Sequence, residues 1–144
     1  MVRKGYIQRL IDELIEVAAK VLRLRTAGDD PAALQEIKAA AKSMVGFDTT
    51  ALTRFSDASL LGLLSSGGAL DAGKALAAGT LLQAQGQIQS AQGEQEASRI
   101  SWHKSLLLLT AALQAEPSLN TEEWQARIVE VRAALRLEPP APGG

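Results

Sequence analysis

The chain has 144 residues, a formal net charge of −1 and no cysteine. Apolar residues make up 47% of it but aromatic residues only 3%, so a core must be built from aliphatic side chains, which favours helices over strands. A net charge this small argues against a field that attracts nucleic acid or an anionic membrane, and the lack of cysteine excludes disulfides and thiolate chemistry. We therefore expect an all-α fold, a compact bundle of about five to six helices.

The first predicted helix covers residues 4–26. Apolar residues recur there at steps of three and four and form one broad apolar face, while charged residues fill most of the remaining surface. Gly28 is the predicted end of this helix. Asp29 followed by Pro31 then predicts the start of a second helix over residues 31–45, because aspartate caps a helix and proline suits its first position.

The middle of the chain predicts two short helices, a loop and a long helix. Asp48 and Ser56 are the expected caps of the short helices, and the Ser-Ser-Gly-Gly stretch at 65–68 is typical of a loop. Asp71 then caps a long helix over residues 72–92. That helix contains the most unusual pattern of the chain, a regular series of glycines.

Three glycines, Gly79, Gly86 and Gly93, lie seven residues apart, and Ala72 extends the series by one more step. A helix drifts only about 20° per heptad, so these positions form one smooth stripe. Because each interior glycine costs a helix roughly 1 kcal/mol relative to alanine, the stripe predicts another backbone packed very close. Residues 75–93 also carry no charge, but their glutamines and glycines favour a buried central helix over a membrane span.

The last third of the chain predicts two more helices. The first, over residues 94–116, contains four consecutive leucines at 106–109. These side chains point in all directions around the helix, so we expect neighbouring elements to bury most of its circumference there. Asn120 or Thr121 caps the second, whose apolar face includes Trp124.

Residues 1–138 are predicted to form a single helical domain, followed by a disordered Pro/Gly tail at 139–144. Near the start, Asp12, Glu13 and Glu16 interrupt the stretch where the core of a secretory leader would have to be apolar. We therefore expect a cytoplasmic protein.

Two of the glycines, Gly86 and Gly93, form a second pattern with Ser98 and Trp102. The glycines are spaced like the close-packing and turn glycines of a tetratricopeptide repeat, and the other two take the places of its small and aromatic residues. Residues 79–110 therefore resemble one degenerate repeat of this kind. Two positions depart from the repeat, Gln89 and Thr110. No second copy follows at a spacing of about 34 residues, so a peptide-binding superhelix is not expected.

The opening segment, Gly5-Tyr6-Ile7-Gln8-Arg9-Leu10-Ile11-Asp12, carries a further resemblance together with the glycine-containing hairpin. On these two features the whole chain is similar to a family of uncharacterised small bacterial all-helical proteins. The resemblance implies a helical fold and a bacterial source. It implies no activity, cofactor or site residue.

Chemically competent side chains are sparse and scattered. His103 is the only histidine, and no carboxylate lies three or four residues from it to orient it as a catalytic base. The acidic pairs Glu94/Glu96 and Glu122/Glu123 lie at predicted helix starts, where negative charge is favourable. One histidine without cysteine is too few ligands for a zinc site. We therefore expect no catalytic residue, no metal, no cofactor and no enzymatic activity.

The leading hypothesis is a non-enzymatic helical protein-interaction or scaffold module that self-associates, as a homodimer for example. It rests on a long helix (72–92) with two apolar faces, on a last amphipathic helix that carries Trp124, and on the scarcity of catalytic side chains. The candidate interaction surface comprises Tyr6, Trp102 and Trp124. The alternatives are a monomeric bundle that satisfies all its apolar faces internally, a regulatory module that binds a peptide or nucleic acid through a helix groove, and an enzyme or small-ligand carrier. Nucleic acid and membrane partners are not expected at this net charge.

Overall fold

The computed structural model describes residues 2–136, with side chains from Gly5 onward. Helices dominate this part of the chain, and the only strands in it are two strands of two residues each that form one hairpin, so the predicted all-α bundle is confirmed. The predicted tail at 139–144 lies outside the described residues. The elements in chain order are α1 (Val2–Thr26), α2 (Asp30–Val45), α3 (Thr49–Arg54), α4 (Asp57–Leu63), β1 (Ser65–Ser66), β2 (Ala69–Leu70), α5 (Ala72–Ala91), α6 (Gln95–Ala115), a 3-10 turn (Pro117–Leu119) and α7 (Glu122–Ala134).

The helix starts follow from side-chain caps, as the sequence predicts. In five helices the side chain before the first turn accepts a hydrogen bond from the backbone N–H three residues further on, which satisfies a donor that the helix itself leaves free. These caps are Asp29, Asp48, Ser56, Asp71 and Thr121.

The segment 65–68 is not the simple loop that its composition predicts. Ser65 and Ser66 pair antiparallel with Leu70 and Ala69. Gly67 and Gly68 form the two-residue turn between them with φ values of 61° and 84°, a conformation that glycine adopts without strain. The resulting hairpin places Asp71 at the start of α5.

Helix α5 is the middle of the bundle. It packs along α6 on one side and against α1 and α2 on others, and most of its residues are buried. Helix α7 packs against α6. In the part of the chain that the structure describes, neither α5 nor any other helix combines the length and apolar character needed to cross a bilayer.

Glycines on α5 allow the close approach of α6. A Cβ atom on Gly79 would lie 2.9 Å from Cγ and 3.2 Å from the backbone N of Leu109, and one on Gly86 would overlap the indole ring of Trp102. Gly73 makes a third close contact, which the heptad spacing does not include. A Cβ there would lie 2.9 Å from Cδ1 of Leu10 on α1.

The prediction that Gly93 is a close-packing glycine, like Gly79 and Gly86, is wrong. A Cβ on it would meet nothing within 4 Å, because α5 ends at Ala91 and the chain has already left the helical path. Its φ of 81° and the hydrogen bond from the Glu94 N–H to the Gln89 carbonyl (2.8 Å) instead form the turn into α6. The antiparallel α5–α6 hairpin is thus observed, whereas its likeness to a tetratricopeptide repeat stays a prediction.

The α5–α6 interface also contains buried polar groups that bond to each other. The Ser105 hydroxyl donates to the Gly79 carbonyl at 2.6 Å. Gln85 donates to the Ser101 hydroxyl at 3.1 Å, which in turn donates to Oε1 of Gln89 at 2.7 Å. Buried polar groups are tolerated where they are satisfied in this way, so the interface is closed both sterically and by hydrogen bonding.

Candidate interaction groove

Helix α1 carries two apolar stripes, of which one is covered and the other is mostly exposed. The covered stripe faces α2 and α5 and includes Ile7, Leu10, Leu14 and Val21. The second stripe follows it one residue later along the chain: Ile11 is half-buried against the core, whereas Ile15, Ala18 and Leu22 are exposed. The side chains of Ile15 and Leu22 are 63% and 66% exposed. They are the two most exposed large apolar residues among the described residues.

The second stripe of α1 forms one wall of an open groove. Helix α5 forms its floor and α7 its other wall, and the cavity has a volume of about 380 Å³. Along α1 the groove extends from Ile11 to Arg25, about 21 Å at 1.5 Å per residue. Most of the lining is apolar, including Ile15, Ala18, Leu22, Leu81, Ala84 and Trp124.

A polar network holds the α7 wall to the floor. Gln83 of α5 donates to Oε2 of Glu130 at 3.3 Å and accepts a hydrogen bond from Nη1 of Arg127 at 3.5 Å. The Arg127 guanidinium also lies 5.3 Å from the ring centroid of Trp124, within cation–π range. This wall therefore has a satisfied polar edge beside its aromatic surface.

The structure does not bring the three predicted aromatic residues together. Trp124 lies in the groove wall and is largely buried. Trp102 is half-buried against Gly86 on α6. Tyr6 lies near the start of α1 and donates to Oδ2 of Asp71 at 3.2 Å, so only one of the three contributes to the groove.

Burial raises the pKa of Tyr6 from 10.0 to about 12, and the charge of Asp71 and its hydrogen bond add to the effect. The phenol therefore stays protonated at neutral pH, and its hydrogen bond joins α1 to Asp71, the cap residue of α5. Tyr6 and Asp71 border a second cavity of about 640 Å³ beside the β-hairpin. Asp71 accepts hydrogen bonds from Tyr6 and from the Lys74 N–H, so both of its carboxylate oxygens bond to the fold itself.

The residues that make the groove distinctive, Ile15, Ala18 and Leu22, are not among the predicted site residues. Their spacing of three and four is visible in the sequence, but it lies one residue from the buried stripe and the two merge into one broad apolar face. The sequence signal that could separate them is the width of the apolar face. The apolar positions extend further around the circumference of α1 than α2 and α5 together can cover.

The described residues contain no group of three or more histidine, cysteine, aspartate or glutamate side chains placed to hold a metal ion. His103 is exposed on α6. The chain matches no protein-family model, no curated protein and no solved structure. The resemblance to a bacterial family therefore stays a prediction.

Proposed function

We propose that the protein is a non-enzymatic helical interaction module, and that the groove between α1, α5 and α7 receives an amphipathic helix. The observation that carries the proposal is the exposure of Ile15 and Leu22 along an apolar wall. Full burial of such a side chain is worth about 1.5–3 kcal/mol. Two such side chains placed seven residues apart suit a helix that contacts α1 once every two turns.

The shape of the groove favours a helix over a small ligand. Its volume of about 380 Å³ is within the range of small-molecule sites, roughly 300–1,000 Å³. However, this space extends along some four turns of α1 and is open to solvent on one side, whereas a small-molecule site encloses most of its ligand. An extended apolar wall with a polar rim is the arrangement that helix-in-groove recognition uses.

The charges around the groove do not favour nucleic acid. Arg25 and Arg127 are accompanied by Glu123 and Glu130 in the lining, so the rim is close to neutral. Nucleic-acid binding depends on a concentrated basic surface that displaces counterions from phosphates. The mixed rim instead suits a protein partner whose own flanks carry both signs.

Affinity capture from the source cells tests this proposal with two matched variants. Ile15→Glu combined with Leu22→Glu places charge on the exposed wall of the groove. Val129→Glu does the same at a side chain of α7 that is 61% exposed but does not line the groove. We expect the wild type and Val129→Glu to retain the same stoichiometric protein, which can be a second copy of this chain, and the double variant to lose it.

Two results would overturn the proposal. One is retention of the same proteins by all three forms, since the groove would then not be the contact surface. The other is a wild type that captures no protein and stays monomeric at high concentration. Circular dichroism of each variant checks that the helices are intact, which is expected because all three substituted side chains are exposed.

A further inference from the structure

We infer that the helix received by the groove is α1 of a second copy of this chain, packed antiparallel to the first. This inference rests on the proposed function and adds the identity of the partner. We call the exposed stripe of α1 the seam, and define it as Gln8, Ile11, Ile15, Ala18, Leu22 and Arg25. Its alternating steps of three and four are the spacing at which two helices pack side by side in a coiled coil.

The seam is complementary to itself when one copy is reversed. Its midpoint lies between Ile15 and Ala18, so a two-fold axis there places Ile15 against Ala18 and Ile11 against Leu22 of the other copy. At these two central levels a large apolar side chain meets a small or equally apolar one, and at the two outer levels Gln8 meets Arg25. A contact that uses the same patch on both copies closes as a dimer and leaves no second free surface.

Charge at the two ends of the seam favours the antiparallel orientation. Asp12 flanks one end, where Gln8 donates to its Oδ1 at 3.0 Å. Arg25 forms the other end; it is only partly buried, and its Nε forms an ion pair with Oδ1 of Asp30 of the same chain at 3.4 Å. An antiparallel pair brings Arg25 of one copy to the Gln8/Asp12 end of the other, whereas a parallel pair would place Arg25 against Arg25 and Asp12 against Asp12.

The oligomeric state is the first part of the test. Light scattering behind size exclusion is applied to the wild type, Leu22→Glu and Val129→Glu over a range of concentrations. We expect a dimer for the wild type and Val129→Glu and a monomer for Leu22→Glu, with unchanged circular dichroism. A monomeric wild type, or a dimer that Leu22→Glu leaves intact, would overturn the inference.

Cysteine cross-linking then tests the orientation, because the chain has no cysteine of its own. In the antiparallel pair the two copies of Ala18 lie near the two-fold axis and are separated by only about 5 Å along the helix direction, whereas the two copies of Thr26 are separated by about 28 Å along it. A short bis-maleimide should therefore join Ala18→Cys into covalent dimers and leave Thr26→Cys unlinked. Efficient linkage of Thr26→Cys would indicate a parallel pair and overturn the inference.

Failure of this inference can be told apart from failure of the proposed function. A monomeric wild type that still captures a different protein, and loses it in the Ile15→Glu/Leu22→Glu variant, would remove the second copy as the occupant but keep the groove as a docking site. A monomeric wild type whose captures do not depend on the groove would remove both.

Discussion

The two sides of α5 differ in how closely their neighbouring helices pack. Toward α6, glycines and small polar side chains let the helices approach closely, and the buried hydroxyls and amides bond to each other. Toward α1 and α7, the helices stand apart around a groove of about 380 Å³ whose apolar wall stays open. The first side has no room for another element, whereas the second leaves an open apolar surface.

This contrast assigns separate roles to the small and the large apolar residues of the chain. Gly79 and Gly86 serve the fold, because a side chain at either position would collide with α6. Ile15 and Leu22 contribute little to the isolated fold, because they remain mostly exposed. Substitutions on the α6 side should therefore change stability, and substitutions on the groove side should change association.

The largest effect is expected for Gly79→Leu. The new side chain would meet both the side chain and the backbone of Leu109, which belongs to a helix and cannot move alone. We expect the free energy of unfolding in urea to fall by about 3 kcal/mol or more. Gly62→Ala in α4 is the control. A Cβ at this position meets nothing within 4 Å, so the substitution should raise the free energy of unfolding by about 0.5–1 kcal/mol. Unaltered stability of Gly79→Leu would contradict the close packing.

Gly86→Leu should destabilise by less, about 1–3 kcal/mol. Its obstacle is the ring of Trp102, a half-buried side chain that can swing outward. The tryptophan emission, to which both Trp102 and Trp124 contribute, should shift to longer wavelength as the Trp102 indole becomes exposed. A melting temperature and an emission spectrum equal to those of the wild type would show that Gly86 does not face this ring.

Ser101→Ala tests the hydrogen bonds on the same side of α5. The substitution removes the acceptor of Gln85 and the donor to Gln89 at a fully buried position. Leaving buried polar groups without a partner costs about 1–3 kcal/mol, which urea denaturation can measure. The double variant Ser101→Ala/Gln85→Leu should recover part of this loss, and no recovery would argue against the bond between these two side chains.

On the groove side, Arg127→Ala should have a small effect. It removes the cation–π contact with Trp124 and the hydrogen bond to Gln83. A contact of this kind near the surface is worth about 0.5–1 kcal/mol, so thermal unfolding should occur slightly earlier. A decrease in the free energy of unfolding as large as that expected for Gly79→Leu would contradict this, because the α7 contacts would then stabilise the fold as much as the α5–α6 interface does.

Tyr6 gives a test that depends on pH. Its pKa rises from 10.0 in the unfolded chain to about 12 in the fold, so the unfolded state loses its proton first. The contribution of Tyr6 to stability is therefore complete below pH 10.0 and is lost as the pH rises toward 12. Tyr6 is the only tyrosine, so tyrosinate absorbance follows it alone. Ionisation of the folded protein near pH 10 would contradict the buried contact with Asp71.

The sequence predicts the helices well because their signals are local. Caps such as Asp29, Asp48 and Asp71 act on backbone N–H groups three residues away. The seven-residue spacing of Gly79 and Gly86 indicates that α5 packs closely against another helix. The turn role of Gly93 agrees with the predicted helix end at residue 92 and with the turn glycine of the repeat it resembles, whereas the heptad series wrongly groups it with the close-packing glycines. The contact of Gly73 with α1 is harder to predict, because it depends on which helix crosses α5 at that point.

The groove is harder to predict than the fold. In the sequence, Ile15 and Leu22 look like any other members of an amphipathic face. Only the placement of α2, α5 and α7 decides which part of that face is covered. An apolar face that is wider than one neighbour can cover is visible in the sequence, but the position of its uncovered part depends on tertiary structure.

Amide hydrogen exchange at low and high protein concentration tests the central contrast most directly, because it reports on both sides of α5 in one sample. We expect protection of peptides from residues 11–25 to increase with concentration, as a second α1 covers the seam. Peptides from α6 should exchange at the same slow rate throughout, since that interface is already closed. An increase over α6 that equals the increase over α1, or no concentration dependence in α1, would contradict the account.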